Sequence, residues 1–186
     1  MRTETASING VDMRWLEQGE GLPVVLLHGI PTSPALWRHV MPRLEGLRCL
    51  AFEMIGYGES IPAGEGRDLS ISHQAEYLCQ WLDHLGVQRA VLVAHDLGGG
   101  VAQIAAVRRP DLCAGLLLTN AIGYDSWPIP SVKALRASAP MARHLPNVVG
   151  KQILRLLMLR GHRDKAVAAE SLALHWQPYA RHGGAV

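Results

Sequence analysis

The sequence predicts an α/β fold with a mostly parallel sheet. Short apolar runs rich in β-branched residues alternate with longer stretches of helical period, and an Asn-Gly pair near the N-terminus separates two segments of alternating polarity. Because strands that alternate with helices are joined by right-handed crossovers, they form parallel sheets covered on both faces. We therefore expect helices on both faces of a sheet that opens with an antiparallel hairpin.

The elements follow in chain order from turn and cap signals. Residues 5–8 and 13–16 flank Asn9 and Gly10, a pair that favours the tight turn of a hairpin. Four further strands are expected, at residues 24–27, 47–52, 90–94 and 116–118. Helices are expected between them, from the N-cap Ser33 through Leu44, from the N-cap Ser72 to Gly86, and from Gly98 to Arg109.

The last third of the chain has a different pattern. After Tyr124 the β pattern is lost, and residues 132–143 and 149–160 have helical period. The second of these stretches has little polar face, so it needs a partner surface. We expect a boundary here, with an α/β domain at 1–121 and a helical region at 122–186.

Composition limits the classes of function. The 186 residues carry 18 basic and 16 acidic side chains, a net charge of +2, which offers no dense positive field for nucleic acid. The charge is uneven, with 9 basic and 13 acidic side chains in residues 1–120 against 9 and 3 in residues 121–186. No apolar run reaches the roughly 18 residues of a membrane helix, and the N-terminus lacks the apolar core of a secretory signal. We expect a cytoplasmic protein that binds neither nucleic acid nor membrane.

The segment around Asp96 has the pattern of a catalytic site. The strand at 90–94 runs into Asp96 and then a helix, and the small residues Ala94 and Gly98 lie two positions before and after the aspartate. This strand, turn and helix form the context of a nucleophile elbow, where a side chain on a strained tight turn tolerates no bulk beside it. A helix N-terminus also favours the charged carboxylate. The alternative is that Asp96 only caps the helix.

A second motif favours the catalytic interpretation. His28 and Gly29 end the strand at 24–27, and the loop that follows can offer the backbone N–H of Ile30 beside that of Leu97. Two backbone donors that converge beside a nucleophile form an oxyanion hole. We therefore predict Asp96 as the catalytic residue and Ile30 and Leu97 as the oxyanion-hole donors.

These motifs together resemble those of a known superfamily. The segments 28–38, 55–60 and 93–99 occur in the order found in α/β-hydrolases, and they are most similar to the haloalkane dehalogenase and epoxide hydrolase group. The resemblance implies that Asp96 attacks an sp³ carbon to form an alkyl ester, which a histidine held by an acidic residue then hydrolyses. It also implies that the helical region 122–186 is a cap over the substrate.

The chain departs from that pattern where halide would be held. Many dehalogenases bind the halide with a tryptophan after the nucleophile and an asparagine in the first loop, but here these positions are Leu97 and Ile30, whose side chains donate no hydrogen bond. Epoxide hydrolases commonly protonate the opening oxygen with cap tyrosines, for which Tyr124 and Tyr179 are candidates. Halide and epoxide therefore both stay open as substrates.

The pocket and its ligands are less constrained by the sequence. Substrate-pocket candidates are Pro31, Tyr124, Trp127 and Tyr179. No cluster of His, Cys and carboxylates has metal-ligand spacing, and the glycine run at 98–100 lacks the spacing of a dinucleotide site, so we expect no metal and no cofactor. The expected partner is a small-molecule substrate.

The rest of the catalytic set is not found in the sequence. Asn120 stands where one dehalogenase subgroup has its acid, and asparagine carries no charge; Asp125 is a weaker local alternative. None of the nine histidines follows a last strand, as the resemblance requires. We expect that the chain stops inside the cap, without the last strands, the acid and the histidine, and that turnover is incomplete.

Two other classes of function follow from this expectation. The chain could be a non-catalytic remnant that self-associates through the unpaired sheet edge at 116–118. A serine hydrolase on the same fold is disfavoured, because no Gly-x-Ser-x-Gly occurs and Ser60 lies in a glycine-rich loop.

Overall fold

In the part of the chain that the structure describes, six strands form one sheet, and four α-helices lie between them or follow them. The computed structural model of the protein describes residues 1–124, 126–128, 133 and 146–182. The strands are β1 (Arg2–Ile8), β2 (Val11–Gln18), β3 (Leu22–Leu27), β4 (Leu47–Phe52), β5 (Ala90–His95) and β6 (Cys113–Thr119). The helices are α1 (Ile71–His84), α2 (Leu97–Arg108), α3 (Asn147–Gly161) and α4 (Lys165–Arg181).

The sheet has the order β1-β2-β4-β3-β5-β6. β1 and β2 form an antiparallel hairpin in which Ile8 faces Val11, and its turn residues Asn9 and Gly10 have φ angles of 50° and 74°. Positive φ at both turn positions is what a two-residue hairpin turn requires. β2 also pairs antiparallel with β4, whereas β4, β3, β5 and β6 are parallel neighbours. The predicted sheet, mostly parallel and opening with a hairpin, is confirmed.

The central strands β3 and β4 are buried on both faces. Four consecutive residues of each strand are buried, and successive side chains of a strand point to opposite faces of the sheet. One face carries a cluster of buried residues from β3, β4 and the segment after β3: Val24, Leu26, Trp37, Met41, Cys49 and Ala51. On the other face Trp81 of α1 is fully buried, with ring centroids 4.9 Å from Phe52 and 5.6 Å from Trp15. These aromatic contacts seat α1 on β2 and β4.

The prediction of one helix from Ser33 through Leu44 is wrong. Two 3₁₀ helices stand there, at Pro34–Trp37 and Met41–Arg43. Pro42 explains the break, since proline has no N–H to donate and its ring clashes with the carbonyl one turn earlier. The face of the sheet that the predicted helix would cover is covered by these shorter segments instead.

The cap of α1 also differs from the expectation. Ser70, not Ser72, is the N-cap, and its hydroxyl accepts the backbone N–H of His73 at 3.4 Å. The backbone N–H of Ser70 itself donates to Asp68 at 2.7 Å, which fixes the chain just before the helix. Both serines are good capping residues, and the local turn decides between them.

The chain divides into two compact units, Met1–Gly123 and Tyr124–Val186. In the second, α3 and α4 share a buried apolar cluster built on Leu154, Met158 and Ala168. The predicted helix at 149–160 lies inside α3. Of the predicted helix at 132–143 only residue 133 is described, and Asp125 lies outside the described residues. None of the described helices is long and apolar enough to cross a membrane.

Candidate active site

The candidate site lies at the carboxyl ends of three neighbouring strands. β3 has β4 on one side and β5 on the other, all parallel, so the segments that follow these strands start from the same edge of the sheet. They are residues 28–30 after β3, residues 53–60 after β4, and Asp96 after β5. The topology therefore brings together motifs that are far apart in sequence.

Asp96 has a strained backbone. Its φ of 54° and ψ of −123° lie outside the regions that residues with a side chain normally adopt, at a cost of roughly 1–3 kcal/mol. Its carbonyl accepts the backbone N–H of Gly99 at 2.9 Å and of Ile122 at 3.3 Å, and these bonds hold the turn. The side chain makes no N-cap hydrogen bond, which would go to the N–H of the second or third residue of α2. Helix capping therefore does not account for the aspartate.

Two glycines let the backbone close around this turn. A Cβ on Gly29 would lie 2.3 Å from the Cβ of Asp96, so the loop after β3 touches the turn after β5 directly. A Cβ on Gly98 would lie 2.4 Å from the carbonyl oxygen of His28 and 2.7 Å from that of Leu27. Any side chain at either position would push the two strand ends apart.

The predicted donors both reach the aspartate. The backbone N–H groups of Leu97 and Ile30 lie close enough to the Asp96 carboxylate to lower its pKa. Burial raises the pKa of Asp96 above its ordinary value, while these two N–H groups and the neighbouring charge of His95 oppose that rise. The donors thus favour the charged form, as expected from the helix N-terminus, but burial has the larger effect.

His28 links the loops after β3 and β4. Its ring is fully buried, with Nδ1 3.0 Å from the carbonyl oxygen of Gly29 and Nε2 accepting the backbone N–H of Met54 at 3.1 Å. Since Nε2 accepts, Nδ1 carries the proton and donates to Gly29. Both ring nitrogens are engaged with the backbone, so His28 holds the two loops together.

Tyr57 belongs to this site, and sequence reasoning missed it. Its ring meets the ring of His28 edge-on, with centroids 5.9 Å apart. Burial and the negative charge of Asp96 together raise the pKa of Tyr57 to about 12, so the phenol keeps its proton. The available signal was its place between two glycines after β4, but only the pairing of β4 with β3 brings that loop to Asp96.

Glu53 anchors the loop that carries Tyr57. The hydroxyl of Ser60 donates to a Glu53 oxygen at 2.8 Å, and Nε of Arg14 lies 3.9 Å from the same oxygen. Burial raises the pKa of Glu53 to about 7, against the opposing effects of Ser60 and Arg14. The buried carboxyl group of Glu53, just after β4, therefore holds this loop through Ser60.

The other predicted pocket residues are divided between the two units. Pro31 follows Ile30 in the first unit and is partly buried. Tyr124, Trp127 and Tyr179 lie in the second unit, where Tyr124 is fully exposed and Tyr179 packs on the cluster of α3 and α4. Their roles toward a substrate stay predictions. Among the described residues, no group of three or more His, Cys, Asp or Glu side chains could hold a metal ion.

Comparison with known proteins places this geometry in a family. The model of the alpha/beta hydrolase fold family matches residues 23–151. The chain is 39% identical to a haloalkane dehalogenase of Agrobacterium fabrum (strain C58 / ATCC 33970) over 103 residues, which are 55% of this chain and 33% of that protein. It is 36% identical to a soluble epoxide hydrolase of Corynebacterium sp. (strain C12) over 131 residues, 67% of this chain and 45% of that protein.

The solved structures agree on the fold. An alpha/beta hydrolase fold protein from Burkholderia ambifaria superposes with a TM-score of 0.82 at 22% identity, covering 97% of this chain and 67% of that one. The chain matches between a third and under half of the length of the two curated relatives. Since the family model covers more than half of the chain, the protein belongs to the alpha/beta hydrolase fold family.

Proposed function

We propose that Asp96 is the nucleophile of a hydrolase that forms an alkyl ester with a small, mostly apolar haloalkane or epoxide. The observation that carries this proposal is the strained turn after β5, where Asp96 has a φ of 54° and lies against Gly29. The nearby backbone N–H groups of Ile30 and Leu97 favour its charged form. A residue fixed in this way is oriented for attack rather than for capping.

The arrangement supports a two-step reaction. A carboxylate oxygen of Asp96 attacks the sp³ carbon from the side opposite the leaving atom, and a C–O bond forms while the carbon–halogen or epoxide C–O bond breaks. In the resulting ester, the Ile30 and Leu97 N–H groups are positioned to bind the carbonyl oxygen, where negative charge develops when water attacks. The same donors thus serve the carboxylate first and the oxyanion afterwards.

Hydrolysis of the ester needs a base, which we do not assign. His28 is unsuited to it, because both of its ring nitrogens are engaged with the backbone. The proposal for this chain is therefore the alkylation step, with complete turnover proposed only for the whole protein. The two curated relatives, a haloalkane dehalogenase and a soluble epoxide hydrolase, support both leaving groups.

The alkylation step can be tested by mass. The chain is mixed with n-butyl bromide or with butylene oxide, quenched in acid at intervals, and measured by intact-mass spectrometry and peptide mapping. The bromide adds a butyl group in place of a proton, whereas the epoxide adds its whole mass as a hydroxybutyl ester. We expect a single adduct that maps to Asp96 with at least one probe.

Matched variants make the test specific. Asp96→Asn removes the charged nucleophile, and we expect it to abolish the adduct. Asp12→Asn removes an exposed carboxylate from β2 and should leave the adduct unchanged. An adduct that persists in Asp96→Asn, or no adduct with either probe, contradicts the proposed nucleophile.

A further inference from the structure

We propose that the hydroxyl of Tyr57 donates the proton that the leaving oxygen takes up as Asp96 attacks, and that this site is therefore built to open epoxides. The inference rests on the proposed role of Asp96 as nucleophile. It assigns the proton donor to the loop after β4, in the same unit as the nucleophile.

Tyr57 and Asp96 both contact the short segment formed by His28 and Gly29. Tyr57 lies against one end of this segment, with its ring edge-on to His28 at 5.9 Å, and Asp96 lies against the other end, in direct contact with Gly29. Because both contacts are made at the carboxyl edge of β3, the two side chains flank the same short stretch of backbone. From there, the charge of Asp96 contributes to the raised pKa of the Tyr57 phenol, after the larger effect of burial.

The loop holds Tyr57 through its backbone and leaves its hydroxyl available. The N–H of Tyr57 donates to the carbonyl of Met54 at 3.1 Å, and its own carbonyl accepts the N–H of Ser60 at 2.9 Å. Ser60 is in turn bonded to the buried Glu53. Among the residues that the structure describes, the Tyr57 hydroxyl has no hydrogen-bond partner, so its O–H can serve a bound molecule.

Proton affinities decide which leaving atom this group suits. When an epoxide opens, the pair of electrons in the breaking C–O bond goes to the oxygen, giving an alkoxide about as basic as hydroxide, and so a much stronger base than a phenolate. The phenol, with its pKa raised to about 12, is protonated at neutral pH yet is still a stronger acid than the alcohol that forms. It therefore gives its proton to the alkoxide, and the product is a hydroxyalkyl ester and a phenolate.

The charge balance of this step is favourable. The negative charge that starts on Asp96 ends on Tyr57, and ester formation removes one of the two causes that hold the Tyr57 pKa high. A solvent water then returns a proton to the phenolate, and the resulting hydroxide leaves into the solvent. A departing halide is too weak a base to take a proton, and the side chains of Ile30 and Leu97 offer it no hydrogen bond.

The test uses Tyr57→Phe in the same alkylation assay. Phenylalanine keeps the ring that packs on His28 and removes only the hydroxyl. We expect the rate of the Asp96 adduct with butylene oxide to fall about 100-fold, the scale of general-acid catalysis, while any reaction with n-butyl bromide keeps its rate. Tyr77→Phe, on α1, is the matched control and should change neither rate.

The possible results test the role of Tyr57 as proton donor separately from the role of Asp96 as nucleophile. If butylene oxide labels Asp96 at the same rate with and without the Tyr57 hydroxyl, Asp96 stands as nucleophile and Tyr57 is not the donor. Equal slowing with both probes assigns Tyr57 a structural role and also overturns the inference, as does labelling by the bromide alone. Absence of any adduct in the unaltered chain overturns the proposed function itself.

Discussion

At position 96 a carboxylate combines two unfavourable conditions, a strained backbone and partial burial. Each condition has a local compensation, since Gly29 and Gly98 give the turn its room and the Ile30 and Leu97 N–H groups favour the charge. The compensation is incomplete, because burial still raises the pKa of Asp96. A residue kept in a conformation that disfavours folding is typical of functional sites.

We therefore expect Asp96→Asn to stabilise the protein at neutral pH, by roughly 1 kcal/mol. A folded-state pKa above the unfolded value means that the ionised form disfavours folding, so stability is lost as pH rises through the folded pKa. Asparagine does not ionise and tolerates positive φ. Urea unfolding of both proteins at neutral pH and in acid measures the difference, which should shrink in acid. Equal or lower stability of the variant at neutral pH contradicts this account.

Glu53 predicts a second pH dependence of stability. Its pKa is near 4.5 in the unfolded chain and about 7 in the fold, so its contribution is fully present below pH 4.5 and lost as pH rises through about 7. The difference corresponds to roughly 3 kcal/mol. We expect Glu53→Gln to remove this loss, as followed by thermal unfolding across that pH range. Glu20→Gln, at an exposed site, should keep the slope of the unaltered protein.

At the scale of elements, the start of α2 lies against the end of β3 with no room for a side chain between them. The backbone carbonyls of Leu27 and His28 occupy the space where a side chain at position 98 would stand. Backbone atoms at a strand end cannot move aside as the tip of a flexible side chain can. The turn that carries Asp96 therefore requires a residue without a Cβ, glycine, at position 98.

We expect Gly98→Ala to lower the free energy of unfolding by about 2 kcal/mol or more, and to abolish labelling of Asp96. Gly115→Ala is the matched control, because a Cβ there would meet only Val91 side-chain atoms at 3.9 Å, an ordinary contact. Denaturant midpoints of the two variants provide the comparison. A Gly98→Ala protein as stable and as reactive as Gly115→Ala would show that the close approach is not essential.

Which elements the sequence predicts correctly depends on whether the signal is local. The strand at 47–52 is an apolar run before a glycine-rich loop, and β4 has the same bounds. The helix from Ser33 fails because its apolar spacing is genuine but Pro42 interrupts it. Asp96, Ile30 and Leu97 come from local motifs. Tyr57 does not, because its position beside Asp96 follows from the order β4-β3-β5, which no local pattern contains.

At the scale of the whole molecule, β6 is one of the two edge strands of the described sheet, and the other is β1. Among the described strands β6 pairs only with β5, and its residues Leu116, Leu117 and Leu118 are 41%, 53% and 42% exposed. An apolar edge strand with unpaired backbone groups favours pairing with another chain. Self-association through this edge stays a prediction.

We expect concentration-dependent self-association in sedimentation velocity, and we expect Leu117→Lys to weaken it, since an edge lysine disfavours strand pairing. Val107→Lys places the same charge at an exposed apolar position of α2, where it should have no effect. A monomer at every concentration tested, or equal weakening by both variants, contradicts association through β6.

The contacts that fix Asp96 and the turn around it lie between residues 27 and 122. During synthesis, the ribosome therefore completes the proposed nucleophile and its donors before it adds the second unit, Tyr124–Val186. At rates of about 5–20 residues per second, those last residues take several seconds to emerge. Over that interval the nascent chain already contains every residue that these contacts require, so the reactive turn can form cotranslationally.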